Sequence, residues 1–292
     1  MPEVKLSRIG IVIKPESGLA PEAVGRILAW GKNKGVEFVL DEKTAGLSKA
    51  KGVDQKTFLD SVDALIVLGG DGTMLAVARM VKEKSIPLLG VNLGNLGFMT
   101  EVAFGEIETA LDKIFSGNYA IEERMMLDFF VENGSVKNAE VALNEVVFGS
   151  KSTARMVELS TTVNGQHVNR YRADGLIVST PTGSTAYALS AGGPILYPVL
   201  DSLLICPICP HTLTNRPIVI PGDAEIGVHI IEGQEDIIAT IDGQVSIDIT
   251  DRDRLTLRRS DKVTRLIKVP DRTHYEALRS KLGWGGTSDA TC

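Results

Sequence analysis

The pattern of hydrophobic positions changes character near residue 118. Before that point, short and wholly apolar runs alternate with stretches that carry apolar residues at helical spacing. The runs predict buried parallel strands and the stretches predict helices. The predicted strands are Ile9–Ile13, Glu37–Leu40, Ala64–Leu68 and Pro87–Val91, and the predicted helices are Pro21–Lys34, Asp54–Leu59, Thr73–Lys82 and Phe104–Ser116. This alternation indicates a doubly wound α/β domain over residues 1–118.

After Ile121 the chain becomes a succession of short β-rich segments separated by turn sequences such as Asn164-Gly165 and Asp242-Gly243. The predicted strands are Met126–Glu132, Glu140–Phe148, Met156–Val163, Gly175–Val178, Leu203–Ile208, Ile218–Ile220, Glu225–Ile231, Ile237–Ile241, Arg254–Arg259 and Val263–Val269. They indicate a C-terminal all-β domain over residues 119–270, built as a β-sandwich. The remaining residues, 271–292, include a helix-like stretch at Tyr275–Lys281 and are expected to pack against the first domain.

Composition narrows the class of protein. The 292 residues suffice for two domains, and a net charge of -6 argues against a general nucleic-acid binder. No apolar run reaches the roughly 18 residues that span a bilayer, and the N-terminus lacks the pattern of a signal peptide. We therefore expect a cytoplasmic protein without a membrane or nucleic-acid partner.

The three cysteines fit a reducing compartment. Cys206 and Cys209 have C-x-x-C spacing, which is typical of a redox pair or of half a zinc site. A second pair is missing from the sequence, and no two histidines have metal-binding spacing. We assign the cysteines no function and expect no catalytic histidine.

A glycine-rich turn follows the strand Ala64–Leu68 and reads GGDGT at residues 69–73. Backbone N–H groups in such a turn, followed by a helix N-terminus, favour a phosphate group. A carboxylate such as Asp71 is useful beside phosphates if it binds a cation or accepts a proton from an attacking hydroxyl. The alternative is an ordinary strand-to-helix turn with Asp71 as the N-cap. Neither a P-loop nor a G-x-G-x-x-G motif occurs.

Further candidate residues cluster between 144 and 190. Five hydroxyl side chains, from Ser179 to Thr185, surround Gly183 and predict a ligand-binding turn. Asn144 and Glu145 interrupt an apolar strand, so they are expected to face opposite sides and to need polar partners, unless they form a surface pair at an edge. Arg172 and Asp174 are expected to project to one side, where they bind a ligand or form a mutual ion pair.

These motifs together resemble the bacterial NAD kinases. The shared segments are GGDGT at 69–73, NLGNLGF at 92–98, NE at 144–145, DGLIVSTPTGSTAYALSAGGP at 174–194, CPHTL at 209–213, Arg216-Pro217 and DGQ at 242–244. The resemblance covers residues 7–270. It implies transfer of a phosphoryl group from ATP, or in some members polyphosphate, to the 2′-hydroxyl of the adenosine ribose of NAD, giving NADP. It also implies a divalent cation, Mg or Mn, and a homodimer or homotetramer.

The resemblance also implies roles for individual residues. Asp71 is expected to be the general base, Gly69, Gly70, Gly72 and Thr73 are expected to form the phosphate-donor turn, and Phe98 is expected to line the adenine. The NAD contacts that it implies are Asp71, Gly72, Phe98, Asn144, Glu145, Arg155, Arg172, Asp174, Thr185, Ala186, Tyr187, Ala188, Leu189, Ser190 and Gln244. The sequence identifies no metal ligand.

Two other functions share part of this pattern. A lipid kinase of the diacylglycerol type has the GGDGT turn but does not need Asn144-Glu145 or the Thr185-Ala-Tyr187 segment. A non-catalytic NAD-binding sensor keeps the pocket, but a site that only binds gains little from Asp71 beside phosphates. The residues therefore favour the kinase that phosphorylates NAD.

Overall fold

The structure is a computed structural model that describes residues 6–13, 18–48, 51–94, 97–134, 136–152, 155–270 and 273–284. The chain divides into two compact units, one made of residues 1–123 and 264–292 and the other of residues 124–263. The boundaries expected from sequence were 118 and 270, so the second unit is shorter at both ends than the expected all-β domain. Within the described residues, no helix is both long and apolar enough to cross a membrane.

The described residues form strands β1 to β17. Their bounds are β1 Ile9–Ile13, β2 Phe38–Leu40, β3 Ala64–Leu68, β4 Leu88–Asn92, β5 Val102–Ala103, β6 Ala120–Asn133, β7 Val136–Ala142, β8 Glu145–Ser150, β9 Val157–Val163, β10 Gln166–Ala173, β11 Gly175–Ser179, β12 Ser202–Ile208, β13 Ile218–Pro221, β14 Ile226–Ile230, β15 Ile237–Ile241, β16 Val245–Ile249 and β17 Arg254–Lys268. Two of them, β6 and β17, run across the boundary between the units.

The helices are short, apart from the first. Their bounds are α1 Ala20–Lys34, α2 Glu42–Ser48, α3 Gln55–Asp60, α4 Asp71–Met80, α5 Ile107–Phe115, α6 Tyr187–Ser190 and α7 His274–Leu282, with 3₁₀ turns at Phe104–Glu106 and Gly183–Thr185. Helix α1 buries Ala20, Val24, Ile27 and Gly31, which recur at helical spacing and form its core-facing side. It ends where Gly35 adopts φ +72°, a left-handed conformation that glycine takes without a steric penalty.

The first unit contains a parallel sheet in the order β2-β1-β3-β4. The crossovers between its strands place the helices on its faces, which is the doubly wound arrangement expected from the sequence. Strands β3 and β4 are neighbours, and Leu68 pairs with Val91 at their carboxyl ends. The GGDGT turn and the loop that follows Asn92 therefore leave the sheet side by side.

The second unit consists of two antiparallel sheets over one apolar core. One sheet has the order β13-β12-β11-β8-β15-β16, and the other includes β10, β9, β14 and the first part of β17. Phe129 from β6 and Phe148 from β8 meet edge to face in this core, with ring centroids 5.5 Å apart. The expected fold class, an α/β domain followed by a β-sandwich, is confirmed.

Several element predictions were wrong in detail. The predicted strand Glu140–Phe148 is two strands, β7 and β8, separated at Leu143 and Asn144. The two predicted C-terminal strands are one long strand, β17. Strand β10 was missed because most of its residues are polar, and α2 was missed because it is short and contains Gly46. Strand β16 was missed although Val245, Ile247 and Ile249 alternate with polar residues as a half-buried strand should.

Candidate active site

Asp71 lies in the first turn of α4, directly after β3. The helix begins two residues earlier than the sequence predicted, because Gly70 rather than a later residue is its N-cap. The Asp71 side chain does not cap the helix. Its Oδ2 accepts the backbone N–H of Phe98 at 2.8 Å, and its Oδ1 accepts that of Met99 at 3.0 Å. The carboxylate is thus held in one orientation by the loop after β4, while it remains half-buried rather than sealed in the core.

A second set of hydrogen bonds shapes the loop that holds Asp71. The buried Asn92 donates from Nδ2 to Thr100 Oγ1 at 2.9 Å, and Thr100 Oγ1 also accepts the N–H of Gly97 at 3.0 Å. Gly97 lies so close to Asp71 that a Cβ there would be 2.0 Å from Asp71 Oδ1. Asn95 and Leu96, which belong to the motif noted in the sequence, lie outside the described residues.

Gly69 of the GGDGT turn allows close packing against Thr73. A Cβ on Gly69 would lie 2.3 Å from Thr73 Oγ1, and Gly69 N–H donates to Val91 O of the neighbouring strand at 3.0 Å. For Gly70, no atom of the described residues other than its chain neighbours lies within 4 Å of the position of a Cβ. Gly72 is exposed in the first turn of α4.

In the second unit, Asn144 and Glu145 do not lie inside one strand, as the sequence had suggested. Asn144 lies between β7 and β8, and Glu145 begins β8. The break is stabilised by Asp242, whose carboxylate accepts the backbone N–H groups of Leu143, Asn144 and Glu145 at 3.1, 2.8 and 3.2 Å. The alternative of an edge-strand surface pair is wrong as well, because Asn144 and Glu145 are only 7% and 5% exposed.

Both side chains of this pair carry a buried polar atom without a hydrogen-bond partner. Within the part of the chain that the structure describes, Asn144 Oδ1 and Glu145 Oε2 have no donor or acceptor in reach. Burial, and to a smaller extent the charge of Asp242, raises the pKa of Glu145 to about 8. Near neutral pH Glu145 is therefore protonated, so the pair offers a ligand one carbonyl acceptor and one carboxyl group that can donate.

We expect Glu145→Gln to stabilise the protein at alkaline pH. The pKa of Glu145 rises from 4.5 to about 8 on folding, so the folded protein holds a proton that the unfolded chain releases between those values. The free energy of unfolding of the wild type therefore falls as pH rises through this window, and the loss is complete above pH 8. Glutamine cannot ionise. In thermal melts from pH 5 to pH 9, the melting temperature of the variant should therefore rise relative to that of the wild type as the pH increases.

The exposed Glu235→Gln provides the matched control for this measurement, and its melting temperature should follow that of the wild type at every pH. A constant difference between Glu145→Gln and wild type over the whole range would contradict a raised pKa at Glu145.

The hydroxyl side chains of the turn from Ser179 to Thr185, the hydroxyl-rich turn, form hydrogen bonds within the protein. Ser179, Thr180, Ser184 and Thr185 donate their hydroxyls to backbone carbonyls of the protein. These four bonds hold the turn rigid. That the five hydroxyls bind a ligand stays a prediction. The backbone of this turn holds the main chain of Asn144, because Thr180 N–H donates to Asn144 O at 2.9 Å. A Cβ on Gly183 would lie 2.3 Å from the same oxygen, so the missing side chain of Gly183 allows this approach.

The predicted contacts after this turn form a short helical segment. Thr185 ends the 3₁₀ turn, and Tyr187–Ser190 form α6, in which Tyr187 is 46% exposed and Ala188 is buried. Among the six residues from Thr185 to Ser190, Ala186 and Leu189 are half-buried and Ser190 is exposed. Gln244 is exposed at the end of the turn between β15 and β16.

The predicted basic contacts are ion-paired at the surface of the second unit. Arg172 lies 3.8 Å from Glu158, not beside Asp174, so the suggested mutual ion pair is absent. Arg155 lies 3.9 Å from Asp236. Exposed pairs of this kind contribute little to stability, so either guanidinium can exchange its carboxylate for a phosphate at small cost.

Neither metal nor redox chemistry is indicated at the cysteines. Cys206 is buried and Cys209 is exposed, and burial raises the pKa of the Cys206 thiol to about 11. Over the described ranges, no three His, Cys, Asp or Glu side chains are placed to hold a metal ion. Cys292 lies outside those ranges.

Sequence reasoning missed two residues that define this geometry, Asp242 and Gly97. Asp242 was noted only for its turn and for the shared DGQ segment, and its long-range hydrogen bonds leave no trace in the local pattern. Gly97 was noted only as part of a motif, although its spacing to Thr100 and Asp71 decides how the loop closes.

Two family models match most of the chain. The ATP-NAD kinase N-terminal domain matches residues 9–119, and the ATP-NAD kinase C-terminal domain matches residues 143–269. A curated NAD kinase of Magnetococcus marinus is 43% identical over 292 residues, covering 97% of this chain and 95% of its own. One from Geotalea daltonii is 44% identical over 269 residues, covering 92% and 94%.

Solved structures have the same fold. An NAD kinase from Archaeoglobus fulgidus in complex with ATP superposes with a TM-score of 0.76 at 28% identity, covering 96% of this chain and 100% of the other. Yeast NADH kinase complexed with NADH gives a TM-score of 0.87, covering 98% and 89%. The latter is 23% identical, so it supports the fold alone.

Proposed function

This chain belongs to the ATP-NAD kinase family, and we propose that it transfers the terminal phosphoryl group of ATP to the 2′-hydroxyl of the adenosine ribose of NAD. The observation that carries the proposal is the match of both family domains over the parts of the chain that hold Asp71, Asn144 and Glu145. Neither the lipid kinase nor the non-catalytic sensor is favoured by the relatives, which are curated as NAD kinases.

Asp71 is the proposed general base. In the reaction its carboxylate takes the proton from the ribose 2′-hydroxyl as the oxygen attacks the γ-phosphorus of ATP. The new bond joins the 2′-oxygen to phosphorus, the bond from phosphorus to the β–γ bridging oxygen breaks, and ADP leaves. Two backbone N–H groups fix the Asp71 carboxylate, so its position does not have to be found during the reaction.

Asn144 and Glu145 are proposed contacts of the dinucleotide. Their buried atoms that have no partner among the described residues are costly in the free protein. A ribose hydroxyl or a carboxamide of NAD supplies both donors and acceptors to satisfy them. A protonated Glu145 adds no negative charge beside the pyrophosphate. Arg155 and Arg172 are the proposed partners of phosphate oxygens, which bind guanidinium groups strongly.

The turn Gly69, Gly70, Gly72 and Thr73 is the proposed site for the phosphates of ATP, and the remaining proposed NAD contacts are Phe98, Asp174, Thr185 to Ser190 and Gln244. The family's divalent cation fits a site of this composition, because Mg²⁺ is commonly held by substrate phosphates, waters and one or two carboxylates. The phosphates of ATP and water molecules would hold the cation, because the Asp71 carboxylate is the proposed proton acceptor. When bound, the cation offsets the negative charge of the transferring phosphoryl group. We also propose a homodimer or homotetramer, and this proposal rests solely on the resemblance to the family.

A coupled assay tests the reaction. Purified protein is incubated with NAD, Mg²⁺ and ATP, and NADP is detected with an NADP-specific dehydrogenase, with polyphosphate replacing ATP in a parallel reaction. We expect NADP to form with ATP. NADP formed only with polyphosphate would change the donor, whereas calorimetric binding of NAD without NADP from either donor would support the sensor instead.

A further inference from the structure

We propose that Asp242 is a positioning residue for the nucleotide site, because it holds Asn144 and Glu145 in their binding arrangement. This inference rests on the proposed function, in which that pair contacts NAD. Asp242 itself is not a proposed contact of either substrate, so its effect on the reaction passes through its neighbours.

The carboxylate of Asp242 takes the place of a partner strand at the break between β7 and β8. Three consecutive backbone N–H groups, from Leu143 to Glu145, converge on its two oxygens. Asp242 is only 5% exposed, and a charged acceptor in such a setting gives short and strong hydrogen bonds. The chain consequently leaves the strand direction at Asn144 and resumes it at Glu145.

The backbone of Asp242 contributes to the same arrangement. Asp242 N–H donates to Glu145 O at 2.9 Å, so the residue binds Glu145 through both its main chain and its side chain. Gln244 N–H closes the turn on Ile241 O at 2.9 Å, with Asp242 at φ +51° and Gly243 at φ +65°. Two successive left-handed residues define a type I′ turn, and Asp and Asn tolerate the first position.

The opposite side of Asn144 is fixed by the hydroxyl-rich turn. Thr180 N–H and Ser179 Oγ both donate to Asn144 O, and the missing side chain of Gly183 allows this approach. Asn144 is therefore held at its N–H by Asp242 and at its carbonyl by the other turn. With both main-chain groups bonded, only its side chain is left to turn toward a ligand, and its Oδ1 has no partner among the described residues.

Asp242→Asn is the primary test, because asparagine tolerates the left-handed turn but replaces one accepting oxygen with an N–H₂ group. The N–H of Leu143 or those of Asn144 and Glu145 then face a donor. We expect the dissociation constant for NAD and the KM for NAD to rise at least ~10-fold, while the KM for ATP stays within about twofold. The exposed Asp248→Asn, in β16 of the same hairpin, is the matched control and should match the wild type.

Gly243→Ala is the second variant, since it strains the turn and leaves the carboxylate in place. It should also weaken NAD binding, by less than Asp242→Asn, and Gly243→Asn should restore it because asparagine tolerates φ +65°. Unchanged NAD binding in a folded Asp242→Asn protein would overturn the proposal, as would equal increases in the KM values of both substrates. Absence of NADP formation by the wild type would instead refute the proposed function, and NAD calorimetry would still report on Asp242.

Discussion

Asp71→Asn protein should bind NAD but form NADP at least ~100-fold more slowly than the wild type. A ribose hydroxyl is a very weak acid, so its attack on phosphorus depends on a base within hydrogen-bond reach. Asparagine has nearly the same shape as aspartate but cannot accept the proton. Steady-state rates in the coupled assay, together with the dissociation constant for NAD from calorimetry, measure the two parts of this expectation.

The structure shows one complication of this substitution and how to control for it. Asp71 accepts an N–H with each oxygen, from Phe98 and from Met99, whereas asparagine has one accepting oxygen. Part of the loss thus comes from a loosened loop, and a thermal melt of the variant measures that part. Glu22→Gln, at an acid in the first turn of α1, is the matched control with unchanged turnover. Turnover of Asp71→Asn within about tenfold of wild type would contradict the base assignment.

Gly97→Ala should lower turnover by about 100-fold although it leaves the Asp71 carboxylate in the protein. The new Cβ would lie 2.0 Å from Asp71 Oδ1 and 2.6 Å from Thr100 Oγ1, and both distances are far below van der Waals contact. Asp71 or the loop must therefore move, and a displacement of about 1 Å in a reacting group can cost about 100-fold in rate. The measurement is kcat in the coupled assay, with NAD binding measured alongside.

Gly94→Ala is the control in the same loop. Among the described residues, its Cβ would meet only Asn92 Oδ1, at 3.9 Å, which is an ordinary contact. Both substitutions remove one glycine from the loop, so a general effect of reduced backbone freedom would act on both. Near-normal turnover of Gly97→Ala in a folded protein would show that the Asp71 carboxylate does not need the position in which Phe98 and Met99 hold it.

The two substitutions separate the ability of Asp71 to accept a proton from the position of its carboxylate. Asp71→Asn removes the proton acceptor with little change of shape, and Gly97→Ala keeps the acceptor and displaces it. If Asp71 acts as the base, both variants lose turnover and retain NAD binding. Loss of turnover in Gly97→Ala alone would instead assign the loop a role that does not involve proton transfer.

The sequence was most informative where local pattern and chemistry coincide. The apolar runs of β3 and β4 and the glycine turn after β3 were identified in nearly their final places. The prediction for Glu140–Phe148 was wrong for an equally clear reason. Its apolar residues continue across Asn144, and the hydrophobic pattern does not register that Asp242, 98 residues later, accepts the N–H of Asn144 and interrupts the strand.

The hydroxyl-rich turn also shows that residue types do not reveal the hydrogen-bond partners of the folded chain. Residue types indicated that this segment, Ser179 to Thr185, is polar. They did not indicate that Ser179, Thr180, Thr182 and Ser184 are buried, or which partners the hydroxyls bond. Backbone carbonyls lie within reach of Ser184 and Thr185 in the folded chain, so the hydroxyls of these side chains stabilise the turn. Asn144 Oδ1 and Glu145 Oε2, which lack a hydrogen-bond partner among the described residues, could be identified only from the fold.

By itself the sequence determined the two-part fold, the family and the motifs that carry the chemistry, because hydrophobic periodicity and motif spacing are properties of neighbouring residues. Only the tertiary structure decided the exact orientation of Asp71, the burial of Glu145 with its raised pKa, and the role of Asp242. Each of these depends on which distant backbone groups and charges lie within a few ångströms, and folding alone brings those groups together.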